Sequence, residues 1–196
     1  MPDTIKPSLL LIAASTGGPG ALRRVFAGFS VCPDVPVLVV QHMPAGFTQG
    51  LADKLDALSP VAAAEARAGE ALMPGRAYVA PGGSHMLLSA ARRIVLNQDP
   101  SVNGVRPSAD VLFESVSRRF AGEAVAAVIL TGMGRDGTAG VRALKARCRC
   151  VCITQDEASC AVFGMPKAVA EAGLSDRSVP LAHIAGTVTS LLRRGG

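Results

Sequence analysis

The stretch Leu9-Leu-Leu-Ile-Ala-Ala-Ser-Thr-Gly-Gly-Pro19 joins six apolar residues to a glycine turn. An uninterrupted apolar run of this length predicts a strand that is buried on both faces of a parallel sheet. Gly17 and Gly18 permit an abrupt turn, and Pro19 suits the first position of a following helix. The segment therefore predicts the first strand and helix of a βαβ unit.

Apolar runs and helical stretches alternate along the rest of the chain. Further strands are predicted over Val35–Gln41, Val61–Ala68, Arg76–Ala80, His85–Ser89, Arg93–Leu96, Val125–Leu130 and Cys148–Thr154. Helices are predicted over 19–27, 47–58, 109–120, 140–147, 166–172 and 181–192. The middle strands are short and joined by tight turns, including a hairpin. The pattern predicts one α/β domain whose parallel sheet is covered by helices on both faces.

Composition and charge exclude several classes of protein. Hydrophobic residues make up 49% of the 196 residues, which excludes whole-chain disorder. The net charge of +5 comes from scattered basic pairs and aromatic residues are only 4%, so nucleic acid is not an expected partner. No apolar run approaches the roughly 20 residues that span a bilayer, so we expect a protein that is not embedded in a membrane. Five cysteines, an odd count, and no visible secretory signal favour a cytoplasmic setting.

Three chemically active residue types follow predicted strands. Ser15 follows the first strand, His42 follows the second, and Asp136 lies in the glycine-rich turn after Val125–Leu130. Functional groups of open α/β sheets gather just beyond the carboxyl ends of the strands. A hydroxyl, an imidazole and a carboxylate are the groups of a nucleophile, a general base and an orienting acid. Free N–H groups at the start of the next helix can stabilise an oxyanion.

Each of these residues also has an ordinary structural interpretation. Ser15 alone is more typical of a helix N-cap, His42 of a surface or satisfied core histidine, and Asp136 of a turn residue. The chain order Ser–His–Asp differs from that of the α/β-hydrolases, and Ser15 lacks their G-x-S-x-G motif. The occurrence of all three residues at strand ends of one domain favours catalysis.

Six segments resemble, in order, the catalytic domain of the CheB family of chemotaxis protein-glutamate methylesterases, which also deamidate receptor glutamines. The resemblance covers about residues 8–192 and implies a doubly wound, mostly parallel sheet flanked by helices, with an antiparallel β-hairpin. One departure is Ala13, where the family commonly has Gly. The matching segments are Ile12–Pro19, Gln41–Pro44, Ala80–Met86, Arg106–Asp110, Leu130–Gly137, and Gln155–Glu157 with Gly164–Pro166.

The resemblance also implies roles for individual residues. Ser15 matches the family's nucleophile, His42 its base and Asp136 its acid, while the main-chain N–H groups of Thr16 and Met133 match the oxyanion donors. The implied substrate is a glutamate methyl ester, or a glutamine, on cytoplasmic helical segments of methyl-accepting chemotaxis receptors. No metal and no organic cofactor is implied.

Four further residues are candidates for the cleft. Gly17 and Gly18 let a substrate approach the backbone. His85 and Arg106 lie in turn-rich segments that can rim the same cleft. Arg106 has two interpretations of similar weight, namely contact with acidic substrate residues and a guanidinium tied to the local backbone.

Two other patterns are weaker. Cys148, Cys150 and Cys152 share one face of a predicted strand, and their burial as small apolar residues is favoured over a zinc site, which typically uses C-x₂₋₄-C pairs. The Thr16–Gly20 turn matches neither G-x-G-x-x-G nor a Walker A pattern, so a nucleotide site is not favoured.

The domain organisation and a second class of function complete the expectations. Family members usually carry an N-terminal phosphoacceptor receiver domain, whereas only about seven residues precede the first strand here. We therefore predict a single methylesterase catalytic domain over residues 1–196, without a receiver domain in this chain. The alternative function is a non-catalytic module that retains the fold and binds receptors or an adaptor.

Overall fold

A computed structural model describes residues 6–193, so both ends of the predicted domain lie outside the described range. The strands are β1 (Leu10–Ala14), β2 (Val37–Gln41), β3 (Ala62–Glu65), β4 (Arg76–Val79), β5 (His85–Leu88), β6 (Ile94–Asn97), β7 (Ala124–Ile129), β8 (Arg149–Gln155) and β9 (Arg177–Val179). The α-helices are α1 (Gly18–Ala27), α2 (Thr48–Leu58), α3 (Ala109–Arg119), α4 (Thr138–Arg147), α5 (Met165–Glu171) and α6 (Leu181–Arg193). A short 3-10 turn covers Glu157–Ser159.

Seven of these strands form one parallel sheet in the order β3-β4-β2-β1-β7-β8-β9. The strands β5 and β6 pair antiparallel as a separate hairpin. The predicted doubly wound sheet with an antiparallel hairpin is therefore confirmed, with the hairpin lying outside the main sheet. The prediction missed β9, because an edge strand of three partly exposed residues leaves no apolar run in the sequence.

The position of β1 at the centre of the sheet explains why its sequence is continuously apolar. Leu10, Ile12 and Ala14 pack into the core layer that contains α1, α2 and α6. Leu11 and Ala13 face the opposite layer, which contains α3, α4, α5 and the hairpin. All five side chains are fully buried, so every position of the strand contributes apolar burial on one face or the other.

The two halves of the sheet diverge between β1 and β7. Helix α1, which follows β1, packs on one face, whereas α4, which follows β7, packs on the other. Such a switch point leaves a crevice beyond the carboxyl ends of the two strands. The parallel register pairs Ala14 with Gln41 and Ala13 with Ile129, so the residues that follow β1, β2 and β7 share one edge of the sheet.

The cysteines of the β8 segment are packed as apolar residues. Cys148 and Cys152 belong to the core layer of α3, α4 and α5, and Cys150 packs against it. Burial raises the pKa of the Cys150 thiol to about 12. Over residues 6–193, no group of three or more His, Cys, Asp or Glu is arranged to hold a metal ion. No helix within the same range is long and apolar enough to cross a membrane.

Two helical glycines provide a test of the packing between α3 and α4. A Cβ at Gly140 would lie 2.5 Å from Phe113 Cβ and 3.1 Å from Asp110 Cα. Because this overlap cannot be relieved without moving α3, Gly140→Ala is expected to lower the free energy of unfolding by about 1–3 kcal/mol. A Cβ at exposed Gly186 in α6 meets no atom within 4 Å. Gly186→Ala is therefore expected to raise the free energy of unfolding by about 0.5–1 kcal/mol.

Urea unfolding of the two variants beside the wild type measures both changes. Equal stability of the Gly140 and Gly186 variants would show that α3 and α4 are not packed at the contact described.

Candidate active site

Ser15 lies at the carboxyl edge of the sheet, directly after β1. Its N–H donates to the carbonyl of Thr131 at 3.0 Å, and its carbonyl accepts from the Gly18 N–H at 2.8 Å. The hydroxyl does not cap α1, because the N-cap residue is Gly17, whose φ of 79° is left-handed and whose position has no side-chain cap bond. The ordinary N-cap interpretation of Ser15 therefore does not apply, and its partly exposed side chain is available for chemistry.

His42 follows β2 beside Ser15. Its N–H donates to the carbonyl of Ala14 at 3.1 Å, which continues the pairing of the two strands. The ring Nε2 lies 2.7 Å from Asp136 Oδ2. In the described part of the chain no hydrogen bond joins the Ser15 hydroxyl to the ring of His42. Such bonds are often long in ligand-free sites and shorten when substrate binds.

Asp136 is only 1% exposed, and it is held at the N-terminus of α3. Its Oδ2 accepts from the Ala109 N–H at 2.6 Å. Its Oδ1 accepts from Ser108 Oγ at 2.7 Å, from Asn103 Nδ2 at 2.9 Å and from the Asp110 N–H at 3.1 Å. The carboxylate thus caps α3 in place of Ser108, whose own side chain makes no cap bond to the helix.

The surroundings of Asp136 fix its charge and the tautomer of His42. Burial alone would raise the pKa of the Asp136 carboxyl, but hydrogen bonds from His42, Ser108 and the Ala109 N–H lower this pKa to about 2. An ionised carboxylate only accepts hydrogen bonds, so Nε2 of His42 carries the proton in this contact. Nδ1 is then the ring nitrogen left to act as a base, the opposite of the serine-protease arrangement, in which the acid holds Nδ1.

A second carboxylate completes a reciprocal arrangement between α3 and α4. Asp110, on α3, accepts through Oδ1 from the Gly140 N–H of α4 at 2.7 Å, whereas Asp136 precedes α4 and caps α3. Asn103 Nδ2 donates to both carboxylates, at 2.8 Å from Asp110 Oδ2 and 2.9 Å from Asp136 Oδ1. Burial, with a smaller effect from the nearby Asp136 charge, raises the pKa of Asp110. Sequence reasoning missed these roles, because an Asn followed by Gly, as in Asn103-Gly104, is typical of an ordinary turn.

The backbone of Gly132 and Met133 passes directly against Ser15. A Cβ at Gly132 would lie 2.7 Å from Ser15 Cβ, so only glycine fits this approach. The Gly132 carbonyl accepts from the N–H groups of Gly164 and Met165 at 3.0 and 2.8 Å. Because the peptide is planar and trans, these bonds also orient the Met133 N–H on the other side of the same unit. Within residues 6–193 neither this N–H nor that of Thr16 has a hydrogen-bond acceptor.

Arg106 reaches the cleft, but it is also tied to the backbone. A shallow cavity of about 250 Å³ is lined by His42, Met43, Pro44, Val105 and Arg106. Nη1 of Arg106 donates to the carbonyls of Gln98 and Asp99 at 2.8 and 3.0 Å. The two interpretations given to Arg106 are therefore compatible in this structure.

His85 does not rim the cleft as expected. The side chain is fully buried, and its Nε2 lies 3.1 Å from the carbonyl of Pro100. Its Nδ1 accepts from the Ser108 N–H at 3.2 Å. With both ring nitrogens occupied, His85 joins β5 to the segment before α3, and it offers nothing to a substrate. The tight turns around it gave no sign of this burial in the sequence.

Gly18 is also placed differently from the expectation. It is buried, and a Cβ at this position would lie 1.9 Å from Gln41 Oε1 and 2.8 Å from Ala14 Cβ. Gly18 is therefore required by packing inside the turn rather than by the approach of a substrate. Gly17 is exposed, and its left-handed conformation supplies the turn itself.

Comparison with known proteins bears directly on this site. The family model described as CheB methylesterase matches residues 10–188. The chain belongs to the CheB methylesterase family. The crystal structure of the Thermotoga maritima CheB methylesterase catalytic domain superposes with a TM-score of 0.89 at 37% identity, covering 95% of this chain and 100% of that one. The family resemblance seen in the motifs is thereby confirmed.

Curated relatives in the CheB methylesterase family carry consistent names. A protein-glutamate methylesterase/protein-glutamine glutaminase of Symbiobacterium thermophilum is 45% identical over 98% of this chain and 53% of its own length. A protein-glutamate methylesterase/protein-glutamine glutaminase 2 of Caulobacter vibrioides is 49% identical over 94% of this chain and 54% of its own length. The chain thus spans about half the length of these relatives.

The lowered pKa of Asp136 predicts how stability varies with pH. A carboxyl whose pKa falls from 3.8 to about 2 on folding contributes about 2 kcal/mol above pH 4, and this contribution is lost as the pH falls towards 2. The difference in unfolding free energy between wild type and Asp136→Asn is therefore expected to shrink between pH 5 and pH 2. Chemical denaturation across this range measures it.

Asp110→Asn is a control for which the difference in unfolding free energy from wild type should change with pH in the opposite direction. Because burial raises the pKa of Asp110, the contribution of this carboxyl to the free energy of unfolding is present at low pH and is lost as the pH rises. Parallel pH profiles for the Asp136 and Asp110 variants would contradict the charge states described.

The close approach at Gly132 predicts a local effect on Ser15. In Gly132→Ala the new methyl group would overlap Ser15 Cβ and Met165 Sδ, at 2.7 and 2.5 Å. The reaction of Ser15 with a fluorophosphonate is expected to slow by about 100-fold, because small misplacements of a reacting atom have effects of this size. Mass spectrometry of the labelled protein measures the rate, and Gly20→Ala, which meets no atom within 4 Å, is the control. Labelling of Gly132→Ala at the wild-type rate would disprove the contact.

Proposed function

We propose that this domain is a protein-glutamate methylesterase that hydrolyses γ-methyl esters of glutamate by a Ser15–His42–Asp136 triad. The observation that carries the proposal is the buried Asp136 carboxylate, 2.7 Å from the His42 ring, at the strand end that neighbours Ser15. Membership of the CheB methylesterase family and the names of the relatives support the same reaction. The alternative, a binding module without catalysis, has no need of an ionised carboxylate aimed at an imidazole.

The proposed mechanism has two stages. Ser15 Oγ attacks the ester carbonyl while Nδ1 of His42 takes the hydroxyl proton, and the same nitrogen then returns this proton to the leaving methanol. Water next attacks the acyl-enzyme with His42 again as base, which frees the glutamate carboxylate and restores Ser15. Asp136 holds the ring through Nε2 and stabilises its protonated form. No metal or organic cofactor takes part in the proposal.

The N–H groups of Thr16 and Met133 are the proposed oxyanion donors. Both belong to backbone that adjoins Ser15, and neither has an acceptor within the described residues. Each would bind the negative oxygen of the tetrahedral intermediate, which carries more charge than the carbonyl of the substrate. Removing one preformed donor of this kind commonly lowers the turnover number by about 10²–10³-fold.

A protein side chain is the proposed substrate, specifically a methylated glutamate on a cytoplasmic helical segment of a chemotaxis receptor. An open groove of about 340 Å³ is lined in part by Met43, the residue after His42, and by Phe47, Arg23 and Lys54, and we infer that it receives the polypeptide substrate. Phe47 is 62% exposed and Met133 is 75% exposed, so apolar side chains are presented on this edge. By the same route a glutamine substrate would release ammonia, and we place the reaction in the cytoplasm.

The proposed unit of catalysis is a single domain over about residues 8–192. One continuous sheet runs from β3 to β9, and it contains all three strands that carry the triad. The match to the whole of the Thermotoga maritima catalytic domain supports the same boundaries.

Methanol release from methylated receptor tests the proposal. Ser15→Ala is expected to lower the turnover number by more than about 10³-fold, because it removes the nucleophile while leaving the fold intact. Ser190→Ala, at an exposed serine of α6, is the matched control. A fluorophosphonate should label wild type at Ser15. A wild-type protein that binds receptor but neither releases methanol nor is labelled would be a binding module.

A further inference from the structure

Gln41 has an unusual position for a polar side chain at the end of a central strand. It is the last residue of β2 and is 1% exposed. Its amide Nε2 donates to the carbonyl of Ser15 at 2.9 Å and to the carbonyl of His42 at 3.1 Å. The side-chain amide of Gln41 thus connects the backbone of Ser15 to the backbone of His42.

The bond from Gln41 to the Ser15 carbonyl also affects the next residue, Thr16. The Ser15 carbonyl and the Thr16 N–H belong to one planar trans peptide, so an anchored carbonyl fixes the direction of the N–H on the opposite side. The Gly18 N–H is the second donor to the same carbonyl, at 2.8 Å. The His42 carbonyl, in contrast, has no donor other than Gln41 within residues 6–193. Gln41 therefore orients a proposed oxyanion donor and is the sole described donor to the carbonyl of the base, whose N–H is bound to Ala14.

The other proposed oxyanion donor shows why this contact matters. The Met133 N–H is oriented through the Gly132 carbonyl, which accepts from two backbone groups, the N–H groups of Gly164 and Met165. Among residues 6–193 the carbonyl of the Ser15–Thr16 peptide has one backbone donor, the Gly18 N–H, and the Gln41 side chain supplies the second bond. Both peptide units are thereby held by two hydrogen bonds each.

Retaining this amide has a cost in stability. Gln41 Oε1 is buried and has no hydrogen-bond partner among the described residues. Gly18 leaves space for Oε1, since a Cβ at Gly18 would lie 1.9 Å from it. A buried acceptor without a partner is unfavourable, and it is retained together with the two bonds that Nε2 donates. The arrangement is thus better explained by what Nε2 does than by a contribution to folding.

We propose that Gln41 is a positioning residue for the esterase reaction, because its amide anchors the peptide of the Thr16 oxyanion donor and the backbone of His42. The inference rests on the proposed function and assigns Gln41 no contact with substrate. Its loss should therefore change the chemical step rather than substrate binding.

Two variants of similar shape test the inference. Gln41→Met removes both hydrogen bonds, and Gln41→Glu places a carboxylate oxygen against two carbonyl oxygens. The turnover number for methanol release is expected to fall by about 100-fold in Gln41→Met, and further in Gln41→Glu, with KM changed by less than about twofold. Fluorophosphonate labelling of Ser15 should slow in the same order, because it depends on the triad and not on receptor binding.

A core variant separates positioning from stability. Val188→Ala in α6 removes buried apolar volume far along the chain from the site, so it should lower Tm with wild-type turnover and labelling rates. Gly18→Ala is a further test, because its new methyl group would overlap the Gln41 amide, and a fall in turnover is expected there too.

Wild-type turnover in either Gln41 variant or in Gly18→Ala, measured per folded molecule, overturns the inference. So does a change confined to KM, or an equal loss in Val188→Ala at matched Tm. If wild type itself releases no methanol, the proposed function fails, and the labelling rates alone decide the role of Gln41. Slower labelling of the Gln41 variants then supports positioning, and equal labelling rejects it.

Discussion

The Asp136 carboxylate accepts hydrogen bonds from the His42 ring and from the first N–H groups of α3 at the same time. A buried charge is tolerated only where such donors replace its lost water, and here they hold the pKa of the carboxyl near 2. The positive end of a helix and an imidazole are thus bound by one group. The packing of α3 and the orientation of the proposed base depend on the same set of bonds.

The helices α3 and α4 are each bound by a carboxylate from the other helix or from the turn before it. Asp136 caps α3 from the turn before α4, and Asp110 on α3 binds the Gly140 N–H of α4. Asn103 joins the two carboxylates from a left-handed backbone position, with a φ of 54°. The loop before α3 is therefore part of the support of the proposed active site, although neither Asn103 nor Ser108 was assigned a role at this site from the sequence.

The strand-end residues were predictable because the signal is local. A continuous apolar run followed by Ser15, His42 or Asp136 places each group at the same edge of a parallel sheet, whatever the details of packing. The hydrogen-bond partners were not predictable in this way. Asn103 and Ser108 lie 33 and 28 residues from Asp136, and no periodicity records such pairings. The burial of His85 and the amide contacts of Gln41 were missed for the same reason, because both depend on neighbours from other elements.

The position of β1 between β2 and β7 also determines at which stage of folding the site can form. Thr16 and Thr131, which meet beside Ser15, are separated by 115 positions in the chain. Closing a loop of that length is slow compared with forming a helix, and its entropy must be offset by contacts that appear late. Before this closure the Ser15 hydroxyl therefore has no Asp136 carboxylate near it to hold the His42 ring. The proposed triad is complete only after the two halves of the sheet have joined.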